Sequence, residues 1–114
     1  MNISGEKGGW FVAREKFATL TEQMYYILLS LLEECCGVDI MEKVTHMTGG
    51  RVAVGPGTLY TLLGQFVKAG LIEETQVAGR RKSYRITAEG RKLLQEEYER
   101  LQQQVSDGAR YLGR

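Results

Sequence analysis

The sequence predicts one mostly helical α+β domain, and three observations carry that expectation. Residues 21–69 hold three stretches of helical apolar spacing, interrupted at Gly37 and at Gly49-Gly50 and closed by Gly70. Residues 71–77 and 81–86 alternate in character on either side of Ala78-Gly79-Arg80, the pattern of a hairpin. A last stretch, residues 88–111, returns to spacings of three and four and contains no proline. Three helices followed by a two-stranded hairpin is the order of a winged helix-turn-helix, extended here by a long C-terminal helix.

Each element has a local cause. Thr21 offers a hydroxyl to the free first-turn amides of a helix expected to run to about Glu34, with Leu20, Met24, Ile27, Leu28, Leu31 and Leu32 as its apolar stripe. Cys35-Cys36 would end that helix as small, packed apolar side chains. A second helix, residues 38–47, would bury Ile40, Met41, Val44 and Met47, and residues 51–54 read as a short extended piece. Pro56, the only proline, opens the third helix, where a missing N–H is no loss, and Gly70 stops it after Ala69. In the second hairpin strand, Ser83 and Arg85 oppose Tyr84 and Ile86, and Thr87 then caps the last helix. Residues 1–9 are polar and glycine-rich and are expected to be disordered. Residues 10–90 would form the winged-helix domain with an N-terminal arm, and residues 91–114 a C-terminal dimerisation helix.

A chain of 114 residues has the length of one domain, and so small a core favours an obligate dimer that buries more surface. The longest apolar run, residues 24–32, is broken by Ser30 and closes on Glu33-Glu34, too short to cross a bilayer. The first ten residues lack the basic and apolar stretches of a signal peptide. Adjacent cysteines cannot close an ordinary disulfide, so a reducing, cytoplasmic setting is expected. Net charge is only +1, but residues 51–92 carry eight Lys/Arg against three Asp/Glu, while residues 1–50 carry four against seven. Such asymmetry fits either a polyanionic partner or a solvated basic face. No Ser, Cys or carboxylate sits in a catalytic motif, and no phosphate loop with a lysine is present, so an enzyme is not expected. His46 is the one histidine and reads as a surface or helix-end residue; with no Cys/His cluster, neither a metal nor a cofactor is expected.

On a helical wheel the third helix divides cleanly. Leu59, Leu62, Leu63, Phe66, Val67 and Ala69 fall on one side; Gly57, Thr61, Gly64, Gln65 and Lys68 fall on the other, with Thr58 and Tyr60 on opposite flanks. A helix entering a major groove needs such a small, polar, acid-free face. Hydroxyls and an amide can meet base edges there, and Lys68 a phosphate. Arg80, Arg81 and Lys82 then crowd three cations at the hairpin, suited to a phosphate backbone or a minor groove. The expected DNA-binding set is therefore Thr58, Tyr60, Thr61, Gln65, Lys68, Arg80, Arg81 and Lys82, and the expected partner is double-stranded DNA.

In the last helix Leu94, Tyr98, Leu101, Val105, Gly108 and Leu112 follow alternating spacings of four and three, a heptad seam that a second copy of the chain would fill. Trp10, Phe11 and Phe17 are a further apolar surplus, expected to cover the partner's last helix. A helical two-fold implies two DNA half-sites.

The segments LTEQMYYIL at residues 20–28, GPGTLY at 55–60, GLI at 70–72 and GRRKSYRITAEG at 79–90 resemble the PadR family of bacterial transcriptional regulators, and the likeness spans residues 19–112. It is closest to that family's short subgroup with a single C-terminal helix. The resemblance implies a homodimeric repressor on an inverted-repeat operator, released by a small molecule. It aligns Thr58, Tyr60 and Thr61 with the recognition helix and Arg80, Arg81 and Lys82 with the wing. Gly64 and Gln65 stand where the family usually carries basic residues, and Val38 where it often carries an aromatic. Some family members bind flat aromatic compounds at the dimer interface. Trp10, Tyr98 and Tyr111 would either line such a pocket or pack in the interface. A winged-helix protein-interaction module that does not bind DNA is the alternative reading.

Overall fold

The computed structural model describes residues 15–79 and 81–114. In order they form α1 (Glu22–Ser30), β1 (Cys35–Cys36), α2 (Gly37–Met47), α3 (Pro56–Lys68), β2 (Ile72–Ala78), β3 (Arg81–Ile86) and α4 (Ala88–Leu112). Three antiparallel strands make a small sheet in the order β1-β3-β2. This is the winged-helix arrangement the sequence predicts. The caps follow the residues expected to supply them. Thr21 Oγ1 accepts from the Met24 amide at 3.2 Å, and Thr87 Oγ1 accepts from the Gly90 amide at 3.1 Å while donating to the Gly70 carbonyl at 2.7 Å. Gly70 and Gly79 hold left-handed φ angles of 77° and 63° at the end of α3 and at the hairpin turn.

The core lies between α1, α2, α3 and the inner face of the sheet. Ile27, Leu28, Ile40, Leu59, Phe66 and Leu93 are among the side chains removed from solvent. Phe17 joins them, its ring 5.4 Å from that of Phe66. It is therefore a core residue of its own chain, and the expectation that it covers a partner's helix is corrected. The start of α4 docks so closely that a methyl group at Gly90 would collide with the Leu71 carbonyl.

The structure departs from the sequence reading most at the end of α1 and in residues 51–54. α1 ends at Ser30, four residues before Glu34. Its last carbonyls are captured by distant groups: Lys43 Nζ donates to the Ser30 carbonyl at 2.9 Å, and the Ile86 amide donates to the Leu31 carbonyl at 2.8 Å. The chain then turns, and Cys35-Cys36 pairs with Tyr84 and Ser83 of β3. These cysteines are a strand and not a helix end. Residues 51–54, read as extended, pair with no strand. The Val52 amide donates to Thr48 Oγ1 at 3.1 Å, and the Ala53 carbonyl accepts from Gln23 Nε2 at 2.9 Å. Met47, expected to be buried, is 41% exposed where α2 ends. The expected disorder of residues 1–9 lies outside the described residues.

Candidate nucleic-acid interface

α3 buries Leu59, Leu62, Leu63 and Phe66. At about 100° per residue its outermost line is then Gly57, Thr61, Gly64 and Lys68, and all four are exposed. Thr58 and Gln65 flank that line on one side, exposed and half-buried respectively. Tyr60 and Val67 flank it on the other. Val67, expected in the core, is instead at the surface. Tyr60 is 49% exposed, and its ring leans on the start of α2, where a methyl group at Gly37 would collide with it. Tyr60 thus both joins α3 to α2 and presents an edge outward. Beside it, a cleft of about 500 Å³ separates α2 and α3 from the hairpin, walled by Val38, Tyr60, Val67 and Tyr84 with Arg81, Lys82 and Glu74 at its rim. Burial, then the nearby Glu74 and Tyr60, push the Tyr84 phenol above its ordinary pKa.

The wing's cations are partly matched within the hairpin. Lys82 lies 3.6 Å from Glu74 and Arg85 3.1 Å from Glu73. All four side chains are about half exposed, and such pairs are worth little in water, so a phosphate can compete for the cations. Arg81 is exposed, and Arg80 lies outside the described residues. Arg51 belongs elsewhere: its guanidinium holds Glu22 and donates to Tyr26 Oη at 2.9 Å, tying the loop before α3 to α1. Hydrogen bonding to Glu22 raises the pKa of that guanidinium. The basic block of residues 51–92 is therefore not one surface.

The seam residues divide along α4. Leu94 is 6% exposed and packs in its own core, so its assignment to the partner is corrected. Leu101 is half-buried. Tyr98, Val105 and Leu112 are 47%, 71% and 76% exposed. A groove between α1 and α4 is lined by Tyr25, Tyr98, Leu101, Gln102, Val105 and Ser106. Burial pushes the Tyr25 phenol up, with Tyr26, Tyr98 and Glu97 adding to the shift. Tyr111 is 82% exposed. It lies roughly 20 Å along the helix from Tyr98, so one chain does not bring these two rings together. Trp10 and Phe11 lie outside the described residues.

Sequence reading missed Glu97. It is 1% exposed, and its carboxylate accepts from the Leu20 amide at 2.8 Å and from Arg100 at 2.9 and 2.7 Å. It clips the segment before α1 to α4. The signal was available: Gly90, Leu93, Leu94 and Glu97 form one buried stripe at helical spacing, with Arg100 one turn further on. The other polar candidates are quiet. Burial outweighs Lys43 and raises the Cys35 thiol pKa, which makes it a poorer nucleophile. His46 is exposed in the last turn of α2. Among the described residues no three His, Cys, Asp or Glu side chains are grouped to hold a metal, and no helix is long and apolar enough to cross a membrane.

Known proteins share this arrangement. The sequence matches the transcriptional regulator PadR-like family over residues 27–96, more than half of the chain. Transcriptional activator GvpE2 of Halobacterium salinarum is 29% identical over 75 residues, 66% of this chain but 37% of that protein, so the chain spans little more than a third of that relative. A transcriptional regulator from Clostridium thermocellum superposes with a TM-score of 0.64 at 25% identity, covering 85% of this chain and 96% of that one. RosR of Halobacterium salinarum superposes with a TM-score of 0.61 at 25% identity, covering 83% and 98%. The chain belongs to the PadR-like family of transcriptional regulators.

Proposed function

We propose that this regulator is a sequence-specific DNA-binding homodimer, acting in the cytoplasm as a repressor at an inverted-repeat operator and released by a small aromatic effector. The observation that carries the reading is α3 itself. Its outer line is small and free of acids, ends in Lys68, and stands beside a hairpin bearing Arg81 and Lys82. Thr58, Thr61 and Gln65 would meet base edges, while Lys68, Arg80, Arg81 and Lys82 would meet phosphates. The exposed apolar end of α4 would pair with a second copy, and the α1–α4 groove beside it would receive the effector.

Selection of bound fragments from a random DNA pool tests the reading. An enriched, two-fold symmetric sequence is expected. Replacing Arg80, Arg81 and Lys82 with Ala should weaken binding to every duplex and flatten its salt dependence, because cations on a turn act by releasing counterions. Unchanged affinity and salt slope would remove the wing from the DNA. The internal pairing of Lys82 with Glu74 and of Arg85 with Glu73 favours one rival, a protein-interaction module. A chain that binds no duplex in a salt-dependent way would be that module. Deleting the gene should raise transcription from the bound promoter; a fall would make the protein an activator.

A further inference from the structure

The cleft between α2, α3 and the hairpin holds polar groups that the fold itself does not use. Tyr84 is 5% exposed and lines it. Among the described residues nothing bonds to the hydroxyl of Tyr84 or to that of Tyr60. A phenol as buried as Tyr84 usually has a hydrogen-bond partner. Burial and Glu74 hold the proton on Tyr84, so it offers a donor to whatever fills the cleft. The Tyr60 hydroxyl lies against Gly37 at the start of α2. No side chain caps that helix, and its first residues, Gly37 and Val38, line the same cleft. The free first-turn amides and positive end of an 11-residue helix favour an anion there.

Charge and shape narrow the anion. Of the charged side chains lining the cleft, Lys82 is matched by Glu74 at 3.6 Å, whereas Arg81 makes no ion pair among the described residues. One positive charge is left over, which suits a monoanion. A space of about 500 Å³ is of small-molecule size. Val38, Tyr60 and Val67 wall it with apolar surface and are 49%, 49% and 36% exposed. A bare phosphate would leave those walls wet, but a carboxylic acid with a compact apolar body would cover them. We propose that the cleft binds a small monocarboxylic acid, whose carboxylate accepts from the Tyr84 hydroxyl within the positive field of Arg81, Lys82 and the N-terminus of α2, and whose body lies on Val38 and Val67. This site is separate from the α1–α4 groove, whose lining holds no charged side chain. Gly64, Arg81 and Lys82 border the cleft and also belong to the face that would meet DNA, so acid and duplex exclude each other. That consequence, unlike the binding itself, rests on the DNA-binding reading above.

Benzoate is a suitable probe, titrated into the full chain and followed by amide resonances. It should shift Gly37, Val38 and Tyr84. Tyr84→Phe removes one hydroxyl and keeps the ring; it should weaken benzoate about tenfold, while Tyr98→Phe, in the other groove, should not. Val38→Trp fills the cleft from an exposed position and should abolish binding. Benzyl alcohol, of similar shape but uncharged, should bind about tenfold more weakly than benzoate. Shifts confined to Tyr25 and Tyr98, indifference to Tyr84→Phe and Val38→Trp, or equal binding of benzyl alcohol would overturn the site. Inorganic phosphate binding as tightly as benzoate would also overturn it and make the cleft a seat for the DNA backbone. Benzoate should release a selected operator more effectively than an equal concentration of sodium chloride, and Tyr84→Phe should need about tenfold more benzoate for the same release. Release no greater than that by chloride would overturn the competition. A chain that binds no duplex would overturn the DNA-binding reading and the competition with it, and the amide titration would then decide the site alone.

Discussion

α3 and α4 both bury one stripe in the same core, but the surfaces they leave over are opposite in kind. On its outermost line α3 presents Gly57, Thr61, Gly64 and Lys68, with the exposed apolar side chains Tyr60 and Val67 confined to one flank. α4 buries Gly90, Leu93, Leu94 and Glu97 and then runs on past its own domain, where Val105, Tyr111 and Leu112 are more than two-thirds exposed. Burying a large apolar side chain contributes about 1.5–3 kcal/mol, and the domain has no further core to offer these three. The contrast separates two tasks. The face of α3 gains little by being covered and can discriminate among partners through hydrogen bonds and methyl contacts. The end of α4 gains mostly through area, which suits a permanent partner of the same kind.

Cutting the chain after Gln102 should break this contrast most severely. That cut removes Val105, Tyr111 and Leu112 and keeps Leu93, Leu94 and the Glu97–Arg100 pair. Sedimentation should show a monomer that retains helical circular dichroism; an intact dimer would refute the role given to the far end of α4. Next in size is Glu97→Ala, which strips the Leu20 amide of its acceptor and removes the carboxylate partner of Arg100, leaving that guanidinium its bond to Gln104 Oε1. Losing charge-assisted hydrogen bonds at so buried a carboxylate should cost about 2–3 kcal/mol in thermal or urea unfolding. Sedimentation of the same variant should still show a dimer, because Glu97 lies on the buried side of α4. A dissociated variant would mean that the two halves of the helix do not act separately.

Thr61→Ala sharpens the other side of the comparison. It should cost about 1–3 kcal/mol against a selected operator, with little change in nonspecific affinity or melting temperature, since Thr61 is exposed opposite the core stripe. Titration against operator and scrambled duplexes at two salt concentrations reads this, and an unaltered ratio would mean that the face does not read bases. The smallest effect concerns pH. Tyr25, Tyr84 and Cys35 all have pKa values raised in the fold, chiefly by burial. For an acid this means the folded state holds its proton while the unfolded chain releases it. Their contribution is complete below the unfolded values, near 8.5 for the thiol and 10 for the phenols, and is lost as pH rises through the folded ones. The melting temperature should therefore decline gently above about pH 9. A flat profile to pH 11 would show that these groups are not desolvated.

The succession of helices and hairpin, both threonine caps, the opening of α3 at Pro56 and the alternation of Tyr84 and Ile86 were all legible in the chain itself. Each rests on interactions between residues close in sequence: a hydroxyl to an amide three residues on, a proline at a first turn, side chains alternating across a pleat. The acid-free face of α3 was legible for the same reason, since a helix turns through a known angle per residue. What failed depended on residues far apart. α1 stops early because Lys43 and Ile86 take its last carbonyls, and Cys35-Cys36 becomes a strand because the open edge of β3 is there to pair with. Phe17 finds Phe66 some fifty residues away, and Glu97 finds Leu20 at a separation of 77. Helical period in α4 shows that a stripe exists, but not where along the helix its own domain stops covering it. That division, with Leu94 inside and Val105 outside, depends on how far the core extends, which only the packing of all the elements together decides.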